Sequence, residues 1–306
     1  MLGQTKPAAV SMYEATGETA FIYHQIRQVL RASGVSAIFR SWAGAEHVLD
    51  AMWSALRPNL ETRAFEDASD HVREAAAHAA HPLGTLGAVT HFEPTESRAF
   101  QIRAALDLHR YLTPKLLLLA AAARLALDGE YIGREGAVAT ELVERGVPPR
   151  MYPMALVDER PDDKQLRDLF RDVRRTMKTT AADDVYRSLA LWPDYFTAAW
   201  THLRPLTRGD EFRDAVDSVR ETARSLARTL PLPLRLPPEY FQGRQADMET
   251  AASITAEYED ALPGTLMNVM LFATDWQPLD ALARSPFAAE SRAARRASPR
   301  TTAEVA

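Results

Sequence analysis

The chain has 306 residues, 46% of them hydrophobic and 25% charged, and a net charge of −5. This is the balance of a soluble globular protein, long enough for two domains at about 150 residues each or for one large one. The acidic balance excludes the basic footprint of a nucleic-acid binder, and the lack of any cysteine excludes disulfides, thiolate zinc sites and a cysteine nucleophile.

Residues 1–15, MLGQTKPAAVSMYEA, show no basic region followed by an apolar core and read as a flexible tail without a signal peptide. A first helical unit is expected over 16–144. Ile22, Ile26, Val29 and Leu30 keep helical spacing. Pro58 is expected to end the helix that carries Trp53, because proline cannot continue one. A further helix follows over 65–79, and a long one over 98–128 is interrupted at Thr113-Pro114. Its apolar run, LLLLAAAARLAL, is too short and broken to span a membrane. Residues 145–163 hold four prolines and read as a linker.

A second unit over 164–288 opens with the stripe Leu166, Leu169, Phe170, Val173 and Met177. Pro205 mirrors Pro58. Phe212, Ala215, Val219, Ala223 and Leu226 line one face of a helix over 212–228, and 249–276 is the counterpart of the long helix. Residues 289–306 are small, polar and aperiodic, which predicts a disordered tail. No stretch alternates with the period of two that strands need.

The two units are copies. At an offset of 147, residues 40–76 fall on 187–223 without a gap and match at 16 of 37 positions. Arg40-Ser41 meets Arg187-Ser188, Trp53 meets Trp200, and FEDASDHVREAA meets FRDAVDSVRETA. A repeat of this length means two copies of one domain rather than a solenoid of short units.

Phosphate-binding loops, dinucleotide fingerprints and the nucleophile elbow are absent from the sequence. His71, Glu74, His78 and His81 fall on one helix face and could in principle hold zinc or iron. Their counterparts Ser218, Glu221, Ser225 and Arg228 cannot bind metal alike, so a solvated face is the favoured reading, with no metal and no cofactor expected. Trp53 and Trp200 read as packing where the copies meet. Arg40 and Arg187 read as recurrent salt-bridge partners, the other reading being a clamp on a substrate carboxylate.

Asp183-Asp184 breaks the repeat, since the corresponding residues are Ser36-Ala37. One reading is helix capping, with Ser36 capping the first copy in the same way. The other is an active-site carboxylate.

Several stretches decide how the pair is weighed: Tyr23 to Arg40, the Thr-Pro-Lys-Leu-Leu-Leu-Leu run at 113–119, Leu-Val-Asp at 156–158, Leu-Ala-Leu-Trp-Pro at 189–193 and Ser285-Pro286-Phe287. In this order, and with two copies, the chain resembles the group I 2-haloacid dehalogenases over most of its length. The resemblance implies an all-α fold of two helical repeats packed as an intramolecular pseudo-dimer, with a central cavity between them. It implies direct hydrolysis, in which an aspartate deprotonates a water that displaces halide from a 2-halocarboxylic acid. The base must lie within hydrogen-bond reach of that water.

The match departs from the family at the site. Val185 holds the family's aspartate position, Thr113 its asparagine, and Gly34 and Ala37 two wall aromatics. Asp184 and Thr113 are therefore the expected catalytic residues, across a shift of one position. Gly34, Ala37, Asp183, Val185, Tyr186 and Lys115 are the expected substrate contacts, with a pocket enlarged for a longer acid. A soluble cytoplasmic monomer or homodimer is expected, with no nucleic-acid or membrane partner. The alternative is a non-catalytic small-ligand-binding or structural relative that has lost dehalogenation.

Overall fold

A computed structural model describes residues 8–92, 94–133 and 140–290. Among them there is no strand, only two isolated β-bridges, Thr62 with Leu142 and Ile132 with Leu234. The helices are α1 (Gly17–Leu30), α2 (Ala37–Ala43), α3 (Val48–Leu60), α4 (Arg63–Ala80) and α5 (Glu96–Leu127), then α6 (Lys164–Met177), α7 (Asp184–Leu189), α8 (Pro193–Leu206), α9 (Asp210–Arg228), α10 (Gln245–Ala273) and α11 (Leu279–Leu282).

The boundaries carry the sequence repeat. The starts of α1, α2 and α4 lie 147 residues before those of α6, α7 and α9. Helices α1 and α6 also end alike: Arg31 and Lys178 adopt left-handed conformations, with φ of 57° and 55°. Each passes its N–H back to the last turn, so the chain reverses without a glycine. The expected stripe of α1 is buried through Ile22, Ile26, Val29 and Leu30.

Helices α5 and α10 pack along each other at the centre of the molecule, with α4 and α9 against them. From Leu108 to Ala123 every residue of α5 is buried, as expected for a helix that is covered on all sides. The expected break at Thr113-Pro114 does not occur, because α5 runs through Pro114 and α10 runs through Pro263. Proline removes one ladder bond and strains its turn, and burial of Leu116 to Leu119 holds the helix together past it. Likewise Pro58 and Pro205 do not end their helices but lie inside the last turns of α3 and α8. No helix among the described residues is long and apolar enough to cross a membrane.

The chain outside the helices is more tied down than its composition suggests. Within the expected tail, Val10 donates its N–H to the Arg40 carbonyl at 3.0 Å, and the Tyr23 hydroxyl donates to the Val10 carbonyl. The expected linker makes the equivalent bond, with the Val157 N–H donating to the Arg187 carbonyl at 3.1 Å. At the other end, the carbonyls of Ala288 and Ala289 accept from Arg31 and Arg63, so the chain is still anchored where disorder was expected to begin. Residues 1–7 and 291–306 of the two expected tails lie outside the described residues.

Trp53 and Trp200 are buried, and the indole N–H of each bonds to a helix earlier in its own copy. Trp53 donates to Gln25 on α1 at 2.8 Å, and Trp200 donates to Asp172 on α6 at 2.9 Å. An indole N–H favours an acceptor when its ring is buried, and the helix two before supplies one in both cases.

Candidate functional site

One cavity gathers the residues with chemistry. Its walls come from five places. Helix α5 contributes His109, Leu112, Thr113 and Leu116, related by steps of three and four so that they form one face. Helix α10 contributes Tyr258 and Leu262. The start of α2 brings Ser36, Ala37 and Ile38, and the start of α7 brings Asp183 and Asp184. The connecting segment closes it with Met154. Its volume is about 10 Å³, the space of one water.

The cavity is smaller than expected, and the reason is Met154. A Cβ at Gly34 would come within 2.6 Å of both the Cβ and the Sδ of Met154. The volume that Gly34 gives up is therefore occupied by a side chain from the segment read as a linker. Methionine, unbranched and adaptable, suits such a gap.

Position 37 of one repeat meets position 184 of the other here. Asp184 Oδ2 accepts the Ala37 N–H at 3.0 Å, across 147 residues of chain. Its Oδ1 accepts from Arg40 at 2.5 Å, and Arg187, the counterpart of Arg40, stands 3.8 Å away. Asp184 thus caps α2 from the other repeat, while the expected cap, Ser36, makes no side-chain capping bond. Both oxygens of Asp184 are engaged, and with only 4% of the residue exposed they have no solvent to turn to. A buried carboxylate held this way is an anchor, since breaking the pair would strand the Arg40 charge.

Asp183 is placed differently. It is the N-cap of α7, with Oδ1 accepting the Val185 N–H at 3.2 Å, so capping holds for this member of the pair. Burial, followed by the charge of Asp184, pushes its carboxyl up from 3.8 to about 7, with Val185 N–H, Arg40 and Arg187 opposing. A carboxyl that titrates near neutrality on a cavity wall has the proton affinity of a general base.

His109 completes the polar lining. Burial pulls its imidazole down to about 4, against the charge of Asp184, so the ring is neutral at physiological pH. Its Nε2 is buried and has no hydrogen-bond partner within the protein. The Tyr258 hydroxyl shares a hydrogen bond of 2.9 Å with Ser41, and burial raises its pKa.

Of the residues expected at the site, Ala37, Thr113, Asp183 and Asp184 line the cavity, and Gly34, Lys115, Val185 and Tyr186 do not. Lys115 lies fully buried on another side of α5, where its ammonium donates to Glu66 at 2.6 Å, to the Tyr111 hydroxyl at 2.7 Å and to the Leu30 carbonyl at 3.2 Å. All three donors are spent on protein, which leaves none for a substrate. Val185 is fully buried. Tyr186 packs in the second unit, stacked on Phe196 at 6.2 Å and accepting from Asn268 at 2.8 Å. The one-residue step from Asp184 to Val185 turns the chain by about 100° on the helix, away from the cavity and into this core.

The histidine stripe lies elsewhere, in an open groove of about 800 Å³ where His71, Glu74 and His78 face Ser218, Glu221 and Ser225. His71, Glu74, His78 and His81 are all exposed. No group among the described residues has the side chains to hold a metal ion. The groove is far larger than the central cavity, but its ionisable side chains are all exposed, and we place the candidate site in the cavity.

The family model described as halocarboxylic acid dehydrogenase DehI matches residues 34–186, which include both cavity segments at 36–38 and 183–184. The chain is 31% identical to a configuration-inverting 2-haloacid dehalogenase of Pseudomonas sp. (strain 113), over 72% of this chain and 74% of the relative. It is 29% identical to an (R)-2-haloacid dehalogenase of Rhizobium sp. (strain NHG3), over 74% and 89%. Its fold is similar to a crystal structure of a D-2-haloacid dehalogenase mutant, with a TM-score of 0.81 at 21% identity, covering 89% of this chain and 96% of that one. A complex of such a mutant with D-2-CPA gives a TM-score of 0.78 at 20% identity, over 90% and 99%.

Proposed function

The chain belongs to the group I 2-haloacid dehalogenase family, as a divergent member, and on that premise we propose that it hydrolyses a 2-halocarboxylic acid with Asp183, rather than Asp184, as the base. The observation that carries the reading is the carboxyl of Asp183, raised to about 7 on the wall of a cavity sized for one water. Asp183 takes a proton from that water. The oxygen attacks C2, the carbon–halogen bond breaks, and halide leaves with the bonding pair. A single displacement inverts C2, in keeping with the configuration-inverting relative.

The rest of the cavity serves this step. The Thr113 hydroxyl orients the water, and the Ser36 hydroxyl offers a donor to the substrate carboxylate. Leu112, Leu116 and Leu262 exclude bulk water and wall the halogen. Asp184, tied to Arg40 and Ala37, fixes the two repeats against each other and raises the proton affinity of Asp183. Entry requires Met154 to move, since the substrate is larger than the cavity. In this reading the two repeats form an intramolecular pseudo-dimer with the cavity between them, supported by the 147-residue spacing of their helices and by the meeting of positions 37 and 184. The relatives are dehalogenases and do not favour a non-catalytic binder.

Halide release from a panel of 2-chloro and 2-bromo acids of two to five carbons tests the proposal. Release is expected from the short members, with a loss of about 10²–10⁴-fold in Asp183→Asn, the range of a positioned base. No release from any member would refute dehalogenation. Full activity in Asp183→Asn would refute the choice of base.

A further inference from the structure

The cavity leaves one group unexplained by the mechanism above. His109 is only 3% exposed, it lines the cavity, and its Nε2 finds no partner in the protein. A buried polar atom without a partner costs about 1–3 kcal/mol, so few native proteins keep one without a use for it. The polar groups that share the cavity wall with the ring are Ser36 at the start of α2, Asp183 and Asp184 at the start of α7, and the hydroxyls of Thr113 and Tyr258, with Arg40 bonded to Asp184. Arg40 is committed to Asp184, and Tyr258 to Ser41. Neither offers the ring a proton.

We infer that His109 is a second acceptor for the water that Asp183 deprotonates, holding the proton that stays on oxygen. The inference rests on the dehalogenase reading. A nucleophilic water has two hydrogens, and its reactive lone pair faces the substrate only when both are held. Asp183 holds and then removes one. Nε2 of the Nδ1–H tautomer holds the other. The water oxygen forms its bond to C2 as the carbon–halogen bond breaks, and halide takes the bonding pair. The proton on Asp183 comes from the water, and the hydrogen on His109 remains with the product hydroxyl. The imidazole gains no proton in this step, which suits a ring that burial keeps neutral. Thr113, one turn along the same face of α5, is left free to donate to the water oxygen.

Three readouts test this in the full-length protein. In ¹⁵N-histidine spectra from pH 5.5 to 8.5, assigned by comparison with His109→Gln, Nε2 of His109 is expected to be unprotonated throughout. A ring that titrates in that range, or that carries its proton on Nε2, would overturn the inference. In halide release, His109→Leu is expected to lower kcat by about 10²-fold, the effect of a misplaced reactant, with KM changed less than about threefold. His109→Gln, whose amide oxygen accepts, is expected to recover most of that loss. Urea unfolding of His109→Leu is expected to show a midpoint close to that of the parent, since the acceptor and its hydrogen bond to the water are lost together and an apolar side chain fills the space. An active parent together with an unimpaired His109→Leu would sink the role of His109 alone. An inactive parent would sink the dehalogenase reading, and the spectra would still decide the tautomer.

Discussion

Replacing Asp183 by asparagine removes one titration and little else. The amide oxygen can still accept the Val185 N–H that the carboxylate accepts now at 3.2 Å, so the cap of α7 survives. In the parent the carboxyl is raised from 3.8 to about 7. The folded state therefore holds this proton more tightly than the unfolded chain does. The associated stability is fully present below about pH 4 and is lost as pH rises through about 7. Between pH 5 and pH 8.5 the loss covers about two pKa units, or roughly 3 kcal/mol. Asp183 is partly exposed, and screening brings this to about 2 kcal/mol. With an unfolding entropy of about 2.1 cal/mol/K per residue over a chain of this length, that is a Tm difference of about 3 °C. The assay is urea and thermal unfolding of parent and variant at both pH values, taking the change in the parent minus the change in the variant. Subtraction removes the titrations that both share, including that of Asp275, which burial raises to about 6. Asp183→Asn is expected to gain on the parent at alkaline pH. Parallel curves, or a variant that loses ground as pH rises, would refute a neutral-range carboxyl at this position.

The same titration predicts that kcat/KM on a 2-haloacid falls as pH drops below about 7, because the base must be ionised to act; a profile flat from pH 5.5 to 8.5 would contradict it. Met154→Ala is expected to open the space beside Gly34, lowering stability by about 2–5 kcal/mol while lowering KM for four- and five-carbon 2-bromo acids relative to three-carbon ones, measured by halide release. Glu66→Gln leaves the buried ammonium of Lys115 without its carboxylate, and a loss of about 3–5 kcal/mol in urea unfolding is expected. The double substitution His71→Ser and His78→Ser touches only an exposed groove, so stability within about 0.5 kcal/mol of the parent per site is expected, along with unchanged halide release.

The helices were legible because their information is local. The stripes of α1 and α9 state their buried faces directly, and the repeat carries every assignment from one unit to the other. The importance of Asp183-Asp184 was legible for the same reason, as a departure from the repeat. Which of the two does what was not, because the division depends on Arg40 and the Ala37 N–H arriving from 147 residues away. Lys115 illustrates the same limit. Two residues after Thr113 in sequence, it points off the cavity face of α5 to a carboxylate on α4. Met154 lay in a proline-rich stretch whose composition says only that it is neither helix nor strand. His109 had a usable signal: it stands one helical turn before Thr113, so any argument that brought Thr113 to a cavity brought His109 as well.

The contact between positions 37 and 184 has a consequence for how such a site can arise. In an assembly of two identical subunits, a residue at this register faces its own copy. An aspartate there would face an aspartate. At about 4 Å and an effective dielectric of about 20, two such charges repel by about 4 kcal/mol, and one arginine per subunit would have to serve each. Joined in one polypeptide, the two positions are free to differ. Alanine on one side supplies a backbone N–H, aspartate on the other supplies the acceptor, and the equivalent arginines 40 and 187 both turn to a single carboxylate. The asymmetry of this contact is one that a single chain can encode and two identical subunits cannot.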